Sequence, residues 1–480
     1  MKKLFLLFVL LLSLSLGCAD ENRSAATPGP SSESPVASYP SPAAAPSPSV
    51  SAAPATPTED PGVIAERERQ RLLQAAAELL GFVVDEDFPV HDFLLWLEES
   101  LYPGVLAELS DMPDDTMEIK KRLRERTGET LAVLKDRWNG LLDSPETARA
   151  ANIYLAEASD PDKTIIAFTG DILYEEWYVI HVYRAVGKGL PGVLTGGLLD
   201  AMRAADVLLI NNEFPFTERG RATPNKRYTF RAAPELVRLH IEMGADAAFL
   251  ANNHVYDYGP DGLSDTLKTL DEAGIARTGA GMNAREASKP LYFIVNGRKF
   301  AFINASCIER YSRFTPGATD DSPGTFRADI DNTELLLAVI QEAVENSDFV
   351  TTVFHWGVEN TTKVEPYQRE LAQLAIDAGA DAVIGGHPHI LQGAEFYNGK
   401  PIIYSLGNFW FSRAKRDTVL LQLILDADGN PSLRMLPCLT QDGITKLASG
   451  DLATRILRDY AAISFGVVID ADGYLYDERS

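Results

Sequence analysis

The clearest pattern along the chain is a series of short, mostly apolar runs separated by stretches with helical spacing. The runs at 164–169, 206–210, 247–251, 299–305, 349–354 and 382–384 are rich in β-branched and aromatic residues and are too short for helices, so they predict buried strands. Between them, 234–243, 262–273, 334–346 and 365–378 carry apolar residues at every third or fourth position and predict helices. Strands and helices in alternation predict an α/β layered domain. More sheet is expected at 400–404, 418–426 and 432–437, then one further helix and a short strand at 466–470. One unit occurs twice: Gly244-Ala245-Asp246-Ala247 and Gly379-Ala380-Asp381-Ala382 each end a helix and open a short strand. Each strand then runs into a polar loop carrying a histidine, His254 and His387. A common helix-to-strand turn explains the first half of the unit but not the histidine.

The N-terminal third reads differently. Residues 61–160 hold amphipathic runs at 64–80, 91–109 and 117–142, the last with Leu131, Leu134 and Trp138 inward, and predict a small helical region with no visible chemistry. Ser144-Pro145-Glu146 predicts a capped helix start with proline in the first turn. Residues 19–60 are mostly Ala, Pro and Ser and lack the apolar content for a core, so they predict a tether. At roughly 3.1 Å per residue a Pro-rich chain of that length reaches on the order of 100 Å. Residues 1–18 open with Met1-Lys2-Lys3, run apolar from Leu4 to Leu16, and end Gly17-Cys18, as an export signal does. That ending resembles a bacterial lipoprotein signal, although Ser15 stands where a branched aliphatic residue is usual. The resemblance implies lipidation at Cys18 and an extracytoplasmic, membrane-anchored protein at a bacterial cell surface.

Charge narrows the partners. The 480 residues carry a net charge of −24, which excludes a general nucleic-acid binder, because that needs a basic face. A local basic or metal-bearing site could still hold an anionic group. Besides Cys18, only Cys307 and Cys438 remain. They could pair or stay as two buried thiols, since pairing requires Cα atoms within about 7 Å.

The residues just past each apolar run carry the candidate chemistry. Asp171 stands after the first, Glu213 after the second, Asn253 and His254 after the third, His355 after the fifth, and His387 and His389 after the sixth. Four of the seven histidines therefore sit at strand ends, where open α/β folds place their sites. His91, His181 and His240 lie in helical or polar stretches and take no role. Mixed Asp, Glu, Asn and His donors suit a borderline divalent ion such as Zn, Mn or Fe. A bridging oxygen donor, here Glu213, would let two ions sit about 3.5–4 Å apart. No Walker loop and no Ser-His-Asp elbow is present.

These motifs resemble a known family. Thr169-Gly170-Asp171, Asn212-Glu213-Phe214-Pro215, Asn252-Asn253-His254 with Asp257, His355-Trp356-Gly357 with Glu359, Gly386-His387-Pro388-His389 and Ser405-Leu406-Gly407-Asn408-Phe409 occur in the order seen in the CapA/PgsA family of poly-γ-glutamate capsule synthesis proteins. That family is similar to calcineurin-like metallophosphoesterases. The resemblance covers about 165–412 and does not reach the helical region. It implies a β-sandwich flanked by helices over 164–412, with 413–480 completing the sheet. It also implies one ion held by Asp171 and His389, another by Asn253, His355 and His387, with Glu213 between them. His254 would act as the acid at the scissile bond, and Asp257 would orient it. Leu173 stands where the phosphoesterase pattern has a second ligand His, and Glu213 replaces a bridging Asp, so one ion would be a ligand short. The CapA branch shares both departures. Asn408 and Glu359 are expected near the ligands, and Arg227 and Arg231 as grips on an anionic substrate or as solvated surface charge. The expected role is synthesis, export or anchoring of an anionic capsule polymer beside polymer-synthesis membrane proteins. The alternatives are an extracytoplasmic metal-dependent hydrolase of phosphoesters or amides, acting on a small anionic substrate, and a non-catalytic scaffold.

Overall fold

A computed structural model describes residues 67, 90–111, 116–308, 314–331 and 333–479, all within one compact unit, 60–480. The export signal with Cys18, the tether and the helix expected at 64–80 lie outside the described residues, Arg67 apart.

Two β-sheets pack face to face with helices on both outer faces, an α/β layered domain as the alternating pattern predicts and a sandwich as the family resemblance implies. The first runs Leu194–Thr195, Ile444–Leu447, Pro431–Gln441, Arg416–Asp426, Lys163–Ile172, Val207–Asn212, Ala247–Phe249, Ala276–Thr278, with Asn408–Trp410 added beside the end of Lys163–Ile172. The second runs Ile153–Leu155, Leu291–Val295, Arg298–Cys307, Phe349–Trp356, Ala382–Gly386, Lys400–Leu406, Leu391–Tyr397. Each contains a block of parallel strands: 163–172 through 276–278 in the first, and 298–307 through 400–406 in the second. The C-terminal ends of each block therefore emerge along one edge.

Side-chain alternation sorts the layers. Ile166, Phe168, Val207 and Leu209 join Phe300, Phe302, Val353 and Ile384 in the core between the sheets. Ala167, Ile172, Leu208 and Ile210 face the opposite way, under the helices of the first sheet. Val350, Phe354 and Trp356 face the helices Glu334–Glu345 and Pro366–Asp377. Phe168 meets Phe302 across the sheets with ring centroids 6.0 Å apart.

The repeated Gly-Ala-Asp-Ala unit has a physical role. Gly244 and Gly379 take φ of 83° and 111° to end their helices, as a residue without Cβ can. The aspartate then clamps the neighbouring strand. Asp246 donates its N–H to Leu208 O (2.9 Å) and accepts Leu208 N–H at Oδ2 (2.7 Å). Asp381 does the same to Val350, Asp206 to Ile165 and Asp348 to Lys299. Four strand starts are thus set in register by one device.

The helical region differs from expectation in two ways. The single helix expected at 91–109 is two, Val90–Ser100 and Val105–Asp111. Pro103 lacks an N–H and Gly104 takes φ 98°, which a continuing helix does not accept. The run expected at 117–142 likewise divides into Thr116–Thr127 and Leu131–Trp138 around Gly128, at φ 76°. Ser144 does cap the next helix, accepting Thr147 N–H at 3.1 Å. Ile153–Leu155 is then a strand, pairing in parallel with Leu291–Val295. The region also packs on the sandwich: Asp136 pairs with Lys299 at 2.5 Å, both buried. At the other end of the chain, helix Gly450–Ala462 inserts Ile456, Leu457 and Tyr460 into the core between the sheets. Cys307 and Cys438 are both free, buried thiols.

Candidate metal centre

Oxygen donors come from the first sheet and imidazoles from the second. Asp171 ends Lys163–Ile172, Glu213 follows Val207–Asn212, and Asn253 follows Ala247–Phe249. His355 lies in Phe349–Trp356, and His387 and His389 follow Ala382–Gly386. Close packing at the strand ends depends on glycine. A Cβ on Gly170 would stand 1.9 Å from Gly407 O, and one on Gly386 2.9 Å from Asp171 Oδ1. The loop between the last two histidines is unusual, with φ of 95° at His387 and 62° at His389. Such conformations cost of order 1–3 kcal/mol in non-glycine residues and cluster at functional sites.

These side chains converge. Ligand atoms of Asp171, Glu213 and His389 lie within 4.8 Å of one another, as do those of Glu213, His355 and His387. The two triads share Glu213. Asn253 joins the second, its Oδ1 2.8 Å from His355 Nε2. Asp171, Glu213, Asn253, His355 and His387 are buried and His389 is half-buried. Asp171 Oδ1 accepts from Asn211 Nδ2 at 2.7 Å, but Asp171 Oδ2 and both Glu213 oxygens accept no hydrogen bond. Buried carboxylate oxygens without donors are costly, and a divalent ion is what such a donor set fits.

The electrostatics agree. Burial, then the Asp171 charge, pushes the Glu213 carboxyl well above its usual range. Burial also pushes Asp171 up, but the adjacent His389 and His355 outweigh it and leave it lowered. His389 is pushed down by burial and more strongly up by Asp171 and Glu213, to about 9. A proton on His389 therefore partly serves the place of a cation. Burial holds His355 at about 3 and His387 well below its ordinary value. His389 Nδ1 is 2.8 Å from Asn408 Oδ1 and 3.4 Å from Asp171 Oδ2, so Asn408 helps orient the ring against Asp171. Glu359 is half-buried, and its charge helps raise both Glu213 and His389.

Beside the triads, His254 Nδ1 bonds Asp257 Oδ2 at 2.7 Å, so Nε2 is the ring nitrogen that Asp257 does not engage. Burial lowers His254 to about 4, against the pull of Asp257. Leu173 is packed in the helix-side core. Trp356 packs too, donating to Tyr404 O at 2.9 Å. His240 is fully buried between Tyr174 OH (2.7 Å) and Asn212 Oδ1 (2.8 Å). Arg227 and Arg231 are exposed, stacked over Tyr228 and Tyr258.

Several contributors had no assigned part in the sequence pattern. Asn211 holds Asp171. Phe230 and Phe411 lie against His254 and His389, with ring centroids 4.5 and 4.7 Å apart. Lys226, with its side chain buried, contacts Asp257 and the Asn253 carbonyl. Asn211 stands beside Glu213 at a strand end and was visible there; Lys226 and the two phenylalanines lie in loops without periodicity.

Comparison with known proteins decides the family. The model of the bacterial capsule synthesis protein PGA_cap matches residues 165–413, more than half of the chain. The chain belongs to the PGA_cap family. All the candidate ligands lie within the matched span. The capsule biosynthesis protein CapA of Bacillus anthracis is 31% identical over 297 residues, 59% of this chain and 69% of that protein. The PGA biosynthesis protein CapA of Bacillus subtilis is 33% identical over 240 residues, 49% of this chain and 62% of that one. Among solved structures, a hypothetical protein from Thermus thermophilus is 17% identical with a TM-score of 0.35, covering 58% of this chain and all of that one; a likeness of that size carries no argument about chemistry. PGA_cap membership meets the expectation drawn from the strand-end motifs, and it leaves 61–160 outside the matched span.

Proposed function

We propose that this PGA_cap protein acts in the synthesis, export or anchoring of an anionic capsule polymer through a divalent-metal site, with Mn, Zn or Fe as the candidate ions. The observation that carries the reading is Glu213: a buried carboxylate shared by two ligand triads, with no hydrogen bond to either oxygen. Asp171 and His389 would hold one ion, Asn253, His355 and His387 the other, and Glu213 would serve both. Bound ions there supply a Lewis acid and an activated water for attack on a phosphoryl or acyl group. The chain's own residues do the rest. His254, oriented by Asp257, would exchange a proton with the reacting group through Nε2. Asn408 would orient His389, and Phe230 and Phe411 pack against the His254 and His389 rings. The lipid at Cys18, the tether and partner membrane proteins are part of the same proposal and would place the site outside the cytoplasm.

A second reading, a scaffold whose site holds no ion, is favoured by Leu173, whose place in the core supplies no extra ligand. Metal content of the purified chain separates the two, beside Glu213→Ala and His389→Ala. One or two equivalents, lost in both variants, support the proposal. No metal after reconstitution with Mn²⁺ or Zn²⁺ overturns it.

A further inference from the structure

We infer that Lys226 is a positioning residue for the whole site, fixing the Asn253 ligand and the His254–Asp257 pair from one ammonium group. The inference rests on the metal reading above. Lys226 lies in the irregular loop between Glu213 and the turn Pro234–Val237, yet its side chain is only 3% exposed. Its ammonium contacts Asp257 Oδ1 and the main-chain oxygen of Asn253. Asn253 O does not depend on it for a first hydrogen bond, whereas Asp257 Oδ1 takes its hydrogen bond from Lys226. Asn253 O also accepts Thr315 Oγ1 at 2.7 Å, and Asp257 Oδ2 takes His254 Nδ1 and Phe230 N–H, both at 2.7 Å. What Lys226 adds is the countercharge of a carboxylate with no exposed surface, and a rigid link between two neighbouring functions. Asn253 is reached through its backbone and His254 through Asp257. A buried ammonium costs several kcal/mol to desolvate unless paired, so its place here is bound to these two contacts. Partners one step removed from a metal typically change its affinity by 10–100-fold.

The test compares Lys226→Met with Thr223→Val. Thr223 Oγ1 anchors the same loop to Asp257 O at 3.0 Å but touches neither the carboxylate nor the Asn253 carbonyl. Two readouts apply: Mn²⁺ and Zn²⁺ affinity by chelator competition, and the NMR resonance of the His254 Nδ1 proton in metal-free protein, assigned with His254→Gln. Lys226→Met should bind metal about 10–100-fold more weakly and shift that resonance; Lys226→Arg should recover part of both. Thr223→Val should stay within about twofold. Wild-type affinity with an unmoved proton in Lys226→Met overturns the inference, as does an equal loss in Thr223→Val, which would make Lys226 only a loop anchor. If the wild type binds no metal, the metal reading fails on its own, and the His254 proton still decides about Lys226. Should Lys226→Met not fold, Lys226→Gln, which keeps a donor and loses the charge, gives the same readings.

Discussion

The carboxylate that unites the two triads should weaken the metal-free fold, and Glu213→Gln measures by how much. Burial and the neighbouring Asp171 raise the Glu213 carboxyl, so the folded state binds a proton there that the unfolded chain releases above about 4.3. Stability from this group is therefore present at low pH and is lost as pH rises. The cost cannot exceed that of keeping a carboxyl with an unfolded value of about 4.3 protonated at pH 7, on the order of 4 kcal/mol. At pH 5 the same reckoning gives about 1 kcal/mol. Glutamine keeps the shape and cannot ionise. In chelator-treated protein, Glu213→Gln should be more stable than wild type by up to about 3–4 kcal/mol at pH 7 and by about 1 kcal/mol at pH 5. Taking the difference between the curves cancels the other titrating groups. Added metal should reverse the order, since an ion at about 1,000 times its Kd stabilises wild type by about 4.1 kcal/mol and the variant by much less. The assay is urea unfolding followed by tryptophan fluorescence, with and without Mn²⁺ or Zn²⁺. A variant less stable than wild type at pH 7 without metal, or a difference that does not change with pH, would show that the protein alone satisfies this carboxylate and would refute the reasoning.

The clamps and the buried histidine give two further expected outcomes. Asp246→Ala should lower stability by about 1–3 kcal/mol, the cost of leaving the Leu208 N–H without its acceptor, whereas Asp246→Asn should stay near wild type at acid pH, where both side chains are neutral; urea midpoints with metal content measured alongside will show it. Burial holds the Asp246 carboxyl at about 6, above its ordinary 3.8, so wild type should lose part of its stability as pH rises between those values and the Asn variant should not. Burial holds His240 at about 3, so its imidazole NMR signals should not titrate between pH 5 and 8. Its contribution to stability should be complete above about 6.5 and decline as pH falls below it, because only the unfolded chain takes up the proton there.

The sequence made some of this legible and hid the rest for physical reasons. The parallel strands could be read because both faces are buried: Phe349–Trp356 is buried at every position, which puts apolar residues on both faces rather than on alternate positions. The candidate ligands could be read because each stands where an apolar run ends. The repeated aspartate was visible as a motif, but its clamp on the preceding strand needs the register of a pairing partner 31 to 49 residues away. Leu391–Tyr397 escaped because Gln392, Gly393 and Glu395 interrupt its apolar content. It is a strand because Leu391 and Ala394 pack between the sheets and Gly393 lets Ile463 O approach where a Cβ would stand 2.0 Å away. Lys226 escaped entirely: in a polar loop, nothing local distinguishes a solvated lysine from one that reaches a buried aspartate 31 residues on.

The division of donors between the sheets explains why this site is so sensitive to charge. Asp171 and Glu213 belong to one sheet and repel each other, as the raised Glu213 carboxyl records. The other sheet faces them with three imidazoles, of which burial keeps two, His355 and His387, in the neutral form. Only His389 carries a proton readily, and it can answer one carboxylate but not both. Neither sheet is self-sufficient: each triad takes oxygen from the first and nitrogen from the second. The core between the sheets, from Phe168 to Phe302, therefore fixes the distance over which an ion would have to bridge. The folding energy of that core holds together a set of groups that would separate if left to themselves. A cation with two positive charges removes the carboxylate repulsion and uses the neutral imidazoles as they stand, which a single proton cannot do.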